Sequence, residues 1–510
     1  MKTIILTLSF LYFAISSIAQ VKYEKRIEFA VKDGYSNEEI YEFGNKGLMM
    51  ASKKDDIVNG MAEWKFEFFN TDLEHVKTEK ILIGKKYFSD ETYNTDSRSH
   101  TLFKTKKGEY IIVSVDAATM GITKVKGVFP KKLNVWDMKI IGDYAIFDSQ
   151  VKKDCFVMAV NWKTGKSKLI PIILQGYKSK NIDIQNIQLL EKTKEIFVYV
   201  EAKDGSKKIE LYVIKINELG EKEDIYNFSA DISKNITSIS ASPIGENEYI
   251  FTGTYSTKST SMSEGLFFSK VYNSKVNFIN FYNFLDLDDF LSYLPERKQK
   301  KIEKKQDKKK DKGKELIINY NIADHDVIIQ DDGYIFIGEC YYPTYRQERY
   351  QEAVTSTVNG ATTTRYVTKY RTVFDGYQYT HAVIAKYSKE GKLIWDKTFE
   401  MWSSYKPFYV KRFISVAEEN NETVDLVFIS RGTKVYTKSF EMKNGTIIKD
   451  TNSEIMETSY EGDKSKKSFS NIIYWYDHYY LAYGEQKIKN KENDKIKKKR
   501  IVYFINKIKY

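Results

Sequence analysis

The chain of 510 residues carries a formal net charge of +12, is 42% hydrophobic and 15% aromatic, and contains six prolines and two cysteines. So much apolar and aromatic surface excludes a disordered chain, and two cysteines exclude a small disulfide scaffold. The basic balance leaves acidic polymers and anionic surfaces open as partners, while no specific nucleic acid is expected.

Met1-Lys2, the apolar stretch from Ile4 to Ile15 and the small-residue end Ser17-Ile18-Ala19 read as a secretory signal peptide over 1–19. The remainder, 20–510, is expected to be a single domain without a membrane span, exported to the periplasm, the cell surface or the medium. No cysteine stands at the cut, which disfavours a lipid anchor. Directly after it, 23–31 alternates polar and apolar as one strand.

Beyond that strand, Tyr, Phe, Ile and Val crowd short alternating segments, and one sheet-forming sentence recurs. Its fullest copy runs through Gly333 to Gly338, His381 to Tyr387 and Gly391 to Phe399, with looser copies near 248–271 and 479–507. Units are expected at roughly 37–84, 98–130, 133–173, 180–229, 236–284, 316–401, 408–452 and 468–510. Gly165, Gly220, Gly391 and Gly445 mark the turn between the third and fourth strand of a unit. The unit at 98–130 is short, so seven blades is the alternative to eight. The last unit stops at its third strand, and the N-terminal strand completes it. The fold class read from this is all-β: a β-propeller of four-stranded blades, its ring closed by pairing of the first and last strands. Cys155 and Cys340 fall in separate units and are expected as buried free thiols.

The pattern resembles the glycine-aromatic strand repeats of exported bacterial β-propellers of Gram-negative type. Gly333 to Gly338, Ala382 to Lys386 and Gly391 to Phe399 carry the resemblance. It implies a fold and an exported location, and no reaction.

Two insertions break the rhythm. In 285–315, Leu287, Phe290, Leu291 and Leu294 have helical spacing, and a Lys-rich helix or tail follows Pro295. In 341–380, an alternating run, Asn359-Gly360 and a second run spell a projecting β-hairpin with a type I′ turn. Strand alternation places both on one face, together with the loops at 55–62, 256–264 and 487–500. The basic clusters at 297–314 and 487–500 read as solvated loops or as a docking patch for an acidic polymer.

The hairpin supplies the candidate binding residues: Tyr345, Arg346, Arg349, Tyr350, Arg365, Tyr366, Tyr370, Arg371 and Tyr377. Tyr and Arg are favoured at interfaces, and aromatic faces stack on sugars. The competing expectation is that the hairpin folds over its own blade and these rings cover the sheet. Asp324, Asp326 and His381 fit either a cation site or an ordinary turn with a satisfied histidine, and the second is preferred because no ligand spacing matches a defined metal motif. Asn227, Asn235, Asn421 and Asn444 begin glycosylation-like triplets that are read as chance. No catalytic residue, metal or cofactor is expected. The function expected is a non-enzymatic, monomeric binding or scaffold module for a protein or glycan; the alternative is a glycan hydrolase or lyase on an anionic polysaccharide, working in the central channel.

Overall fold

Antiparallel sheets, seven of four strands and one of five in which Asn321–Asp324 and Ile328–Gln330 both pair with Gly333–Val358, account for nearly all regular structure in the computed structural model, which describes residues 22–31, 34–203, 209–229, 233–258, 262–359, 361–403, 405–419, 422–430, 434–454, 458–493 and 495–509. The expected signal peptide lies outside the described residues. Among them there are eight sheets in chain order: sheet 1 (35–84), sheet 2 (88–128), sheet 3 (133–171), sheet 4 (182–227), sheet 5 (235–283), sheet 6 (321–400), sheet 7 (414–454) and sheet 8 (463–509). The protein is an all-β propeller. Sheet 8 takes its fourth strand from the other end of the chain: Lys22–Ala30 pairs antiparallel with Lys499–Lys509.

The period-2 pattern explains the packing. The second strand of most sheets is buried on both sides, as in Glu195–Lys203 and Glu248–Ser256, and its two faces feed two different apolar clusters. Val198 and Val200 pack toward sheet 3, whereas Phe197 and Tyr199 pack toward sheet 5. Successive clusters join sheets 1 and 2, 2 and 3, and so on to 7 and 8, and one more joins sheet 8 to sheet 1 through Trp475, Ile505, Leu48 and Ile40.

Polar stitches fix the seams. Glu339, wholly buried, accepts from Phe413 N and Ile414 N at 2.9 Å and hydrogen-bonds His325 Nε2 at 2.8 Å, tying sheet 6 to sheet 7. Both cysteines are buried and free.

Some sequence boundaries need correction. The second unit is a full four-stranded sheet beginning at Phe88, because Phe88–Thr95 pairs with Arg98–Lys104 although its alternation is too polar to stand out. Residues 287–294 form turns, not a helix; Leu287 and Phe290 are buried beneath sheet 6, and Asp396 fixes the turn by accepting from Asp288 N and Asp289 N. The helix, Glu296–Lys310, starts after Pro295 and has no buried residue. No described helix is long and apolar enough to cross a membrane.

The second insertion is part of two very long strands, Gly333–Val358 and Ala361–Ser388, paired from Gly333↔Ser388 to Val358↔Ala361. Asn359 takes φ 51 at its tip; Gly360 is not among the described residues. This ribbon leaves sheet 6 on the side where the lysine helix begins, since second-to-third and fourth-to-first connections share a face in a four-stranded meander.

Candidate functional site

Cross-strand register sorts the nine hairpin residues. Directly paired residues point to the same side, so Tyr345, Arg349, Tyr366 and Tyr370 share one face with Phe374, while Arg346, Tyr350, Arg365 and Arg371 share the other. Tyr345, Tyr366 and Tyr370 are 62%, 71% and 66% exposed, so the ribbon does not lay these rings over its own sheet. The arginine face is partly committed: Arg371 pairs with Glu348 at 2.6 Å and Arg346 with Asp375 at 3.4 Å. Tyr377 lies at the root and is half-buried against the cluster between sheets 6 and 7.

The root of the ribbon forms one wall of a cleft of about 440 Å³. Tyr341, Tyr345, Phe374 and Tyr377 make this wall, with ring centroids 5.1 Å apart for Tyr341 and Tyr377, 5.0 Å for Phe374 and Tyr377, and 6.0 Å for Tyr345 and Phe374. The lining also includes a web of hydroxyls from sheet 5 and the loop between its second and third strands. Thr237 Oγ1 stands 2.8 Å from Thr254 Oγ1 and 2.7 Å from Ser263 Oγ, and Ser238 Oγ stands 2.8 Å from Thr254 Oγ1. The carboxamide of Asn321 adds donors and an acceptor to the lining.

Inward, a second cleft of about 350 Å³ shares Thr237, Ser238, Ile322 and Tyr341 with the first. Gln185, Asn186, Lys411, Arg412 and Asp324 complete it. Burial pushes the Asp324 carboxyl up, with nearby Arg412 opposing, and its Oδ2 is sealed from solvent without a hydrogen-bond partner. Burial lowers the Lys411 ammonium, which donates to Asn471 Oδ1 at 2.8 Å and Tyr405 OH at 3.0 Å. Asp324 is the one carboxylate among the described residues lining the two clefts.

The structure therefore brings Tyr345 and Tyr377 of the expected set into a concave site and leaves the other seven along the ribbon. Sequence reading missed Thr237, Ser238, Thr254, Ser263 and Asn321. The available signal is the Ser/Thr density of 235–263, a stretch the sequence marks only by a glycosylation-like triplet, a repeat copy and the 256–264 loop. The weighed cation grouping does not assemble. His381 is caged by Tyr293 at 3.8 Å, Phe290 at 5.0 Å and Tyr320 at 5.1 Å, and burial pushes its pKa down to about 3. Among the described residues no cluster of three or more His, Cys, Asp or Glu could hold a metal ion.

Neither the protein-family models nor the curated proteins give a match to this chain. Solved structures give matches of fold. Sqt1 of Saccharomyces cerevisiae is 7% identical at a TM-score of 0.41, with 96% of this chain and 99% of that one covered. The Dos1 propeller is 8% identical at 0.39, with 96% and 95% covered. The β-propeller domain of the Trilobed protease from Pyrococcus furiosus is 9% identical at 0.34, with 82% and 94% covered. A prolyl endopeptidase structure is 7% identical at 0.36, and there the match covers 90% of this chain but 54% of the other. None of these likenesses bears on chemistry.

Proposed function

We propose that the protein is an exported, monomeric, eight-bladed ring that binds glycan chains without turning them over. The observation that carries this reading is the cleft lined both by tyrosine rings and by a web of serine and threonine hydroxyls. Sugar rings present apolar C–H faces and hydroxyl edges, so a cleft lined by aromatic rings and by paired donors and acceptors matches both. Amides and cations at the inner end, Gln185, Asn186 and Arg412, suit an acidic sugar unit. Beyond the cleft, the exposed tyrosines of the ribbon extend the platform along a polymer.

One observation favours the enzymatic alternative: Asp324 is a carboxyl held toward its protonated form at the inner cleft. Glycoside hydrolysis generally uses two carboxyls about 5–9.5 Å apart, and the cleft lining supplies one, so binding is preferred.

The test is affinity electrophoresis of the mature chain in neutral and acidic polysaccharides, with product analysis on the same panel. Retardation by at least one polymer, weakened about tenfold or more in Tyr345→Ala with Tyr377→Ala and unchanged in Tyr272→Ala, is the expected result. Shortened products from the parent that Asp324→Asn abolishes would establish the alternative. If no polymer retards the chain, the glycan reading fails.

A further inference from the structure

We propose a second, independent site on sheet 8: a pocket for a single-chain anionic amphiphile, an acyl tail ending in a carboxylate. Between the closing strand and the strand ends around 487–502 lies a cavity of about 850 Å³, larger than either cleft and within the roughly 300–1,000 Å³ usual for small-molecule sites. Phe29, Val31, Ile488, Ile496, Ile501 and Val502 give it an apolar lining. Register puts Phe29 and Ile501 on the same face of sheet 8 as Lys487, Lys489 and Lys499, so apolar and basic lining adjoin there, whereas Ile488 and Val502, only 2% and 5% exposed, turn to the other face.

The lining also carries Lys466, Lys487, Lys489, Lys497 and Lys499, none with an ion-pair partner among the described residues. The other charges there are committed. Arg500 engages Asp463 through both Nη atoms, and Glu28, the one carboxylate in the lining, hydrogen-bonds Arg26 Nε at 2.8 Å and sits 3.6 Å from Arg500.

Register makes the lysine crowding a structural cost. Lys464 lies directly opposite Lys489, and Lys489 directly opposite Lys499, so three adjacent strands present like charges in a row. The Lys489 ammonium is lowered accordingly, by Lys491 first, then desolvation, Lys466 and Lys499. An anion held among these lysines offsets the repulsion. A polyanion would use the cations and leave the adjoining apolar residues, Phe29 and Ile501, uncovered, whereas an amphiphile uses both.

Calorimetric titration of the mature chain at low salt with decanoate, dodecanoate and tetradecanoate, each below its micellar concentration, tests the assignment. Affinity should rise about fourfold per added methylene. Lys466→Gln with Lys489→Gln and Lys499→Gln should weaken dodecanoate at least tenfold, while melting no lower than the parent because repulsion has been removed. Dodecyltrimethylammonium and inorganic phosphate are the tail-only and head-only controls. The assignment is overturned if dodecanoate does not bind, if either control binds as well, if chain length has no effect, if the triple variant binds like the parent, or if only anionic vesicles bind.

Discussion

Asp148 shows how a single carboxyl couples this fold to pH. It stands on Tyr144–Val151 of sheet 3, half-buried, with Asp137 and Asp183 nearby, and burial followed by those like charges pushes its pKa up to about 7. Asp137 is itself paired with Lys139, so the neighbourhood is not purely acidic. An unfolded aspartate titrates near 3.9. Between about pH 4 and 7 the folded state therefore holds a proton that the unfolded state has released, and stability falls as pH rises through this window. Three units amount to about 4 kcal/mol, which partial solvent access reduces to about 2. Asp148→Asn removes the penalty, so its melting temperature should exceed that of the parent at pH 8 and equal it at pH 4. Calorimetry at both values decides it: a gain of the same size at pH 4 means that packing, not charge, is responsible.

Among the elements, the tight turn between third and fourth strands repeats most faithfully, and its glycine does two jobs. Gly165, Gly220, Gly391 and Gly445 take φ of 77, 66, 75 and 71, where a Cβ is disfavoured. Each also sits on the preceding sheet: a Cβ on Gly391 would stand 2.5 Å from the Phe278 ring and 2.8 Å from Phe268, and one on Gly445 would stand 2.8 Å from Trp395. Gly391→Ala should thus cost about 2–4 kcal/mol in urea unfolding, the backbone penalty plus overpacking. Gly60→Ala, at φ 74 with nothing within 4 Å, should cost only about 1 kcal/mol. Equal losses would mean that the close approach contributes nothing. These turns were legible because glycine, an Asn or Ser, and a change of strand coincide within four or five residues. Residues 287–294 misled because tight turns also return an apolar side chain to the core every three or four positions; Leu287 and Phe290 are buried without a helix. The ribbon could be read from Asn359-Gly360 and two alternating runs, but which rings would face a cleft depended on register. The hydroxyl web left only its Ser/Thr density in the sequence: Thr237, Thr254 and Ser263 follow no spacing rule and meet only because two strands of sheet 5 pair and its next loop folds back.

At the scale of the whole molecule, every sheet shares one apolar cluster with the sheet before and another with the sheet after, and the seam between sheets 8 and 1 includes residues from both chain ends. Lys22–Ala30 contributes Ile27 and Phe29 to that seam, and Arg26 donates to Gln486 Oε1 at 2.8 Å and Asn506 Oδ1 at 3.2 Å. Removing 22–30 would leave Lys499–Lys509 as an open edge rich in β-branched and aromatic residues, Ile501, Val502, Tyr503, Phe504 and Ile505, which is a template for pairing with another copy. A chain starting at 31 should therefore elute as a concentration-dependent oligomer and melt earlier than the 20–510 chain. Adding a peptide of residues 22–31 in trans should restore the elution of the 20–510 chain, because it supplies the missing ladder and the two apolar side chains together. The peptide with Ile27 and Phe29 changed to Ser keeps its backbone donors and acceptors but fills none of the seam, and should not rescue. Rescue by both peptides would assign the seam to strand pairing alone. A truncated chain that stays monomeric with unchanged melting would mean that seven sheets and three strands hold the ring without the N-terminal strand.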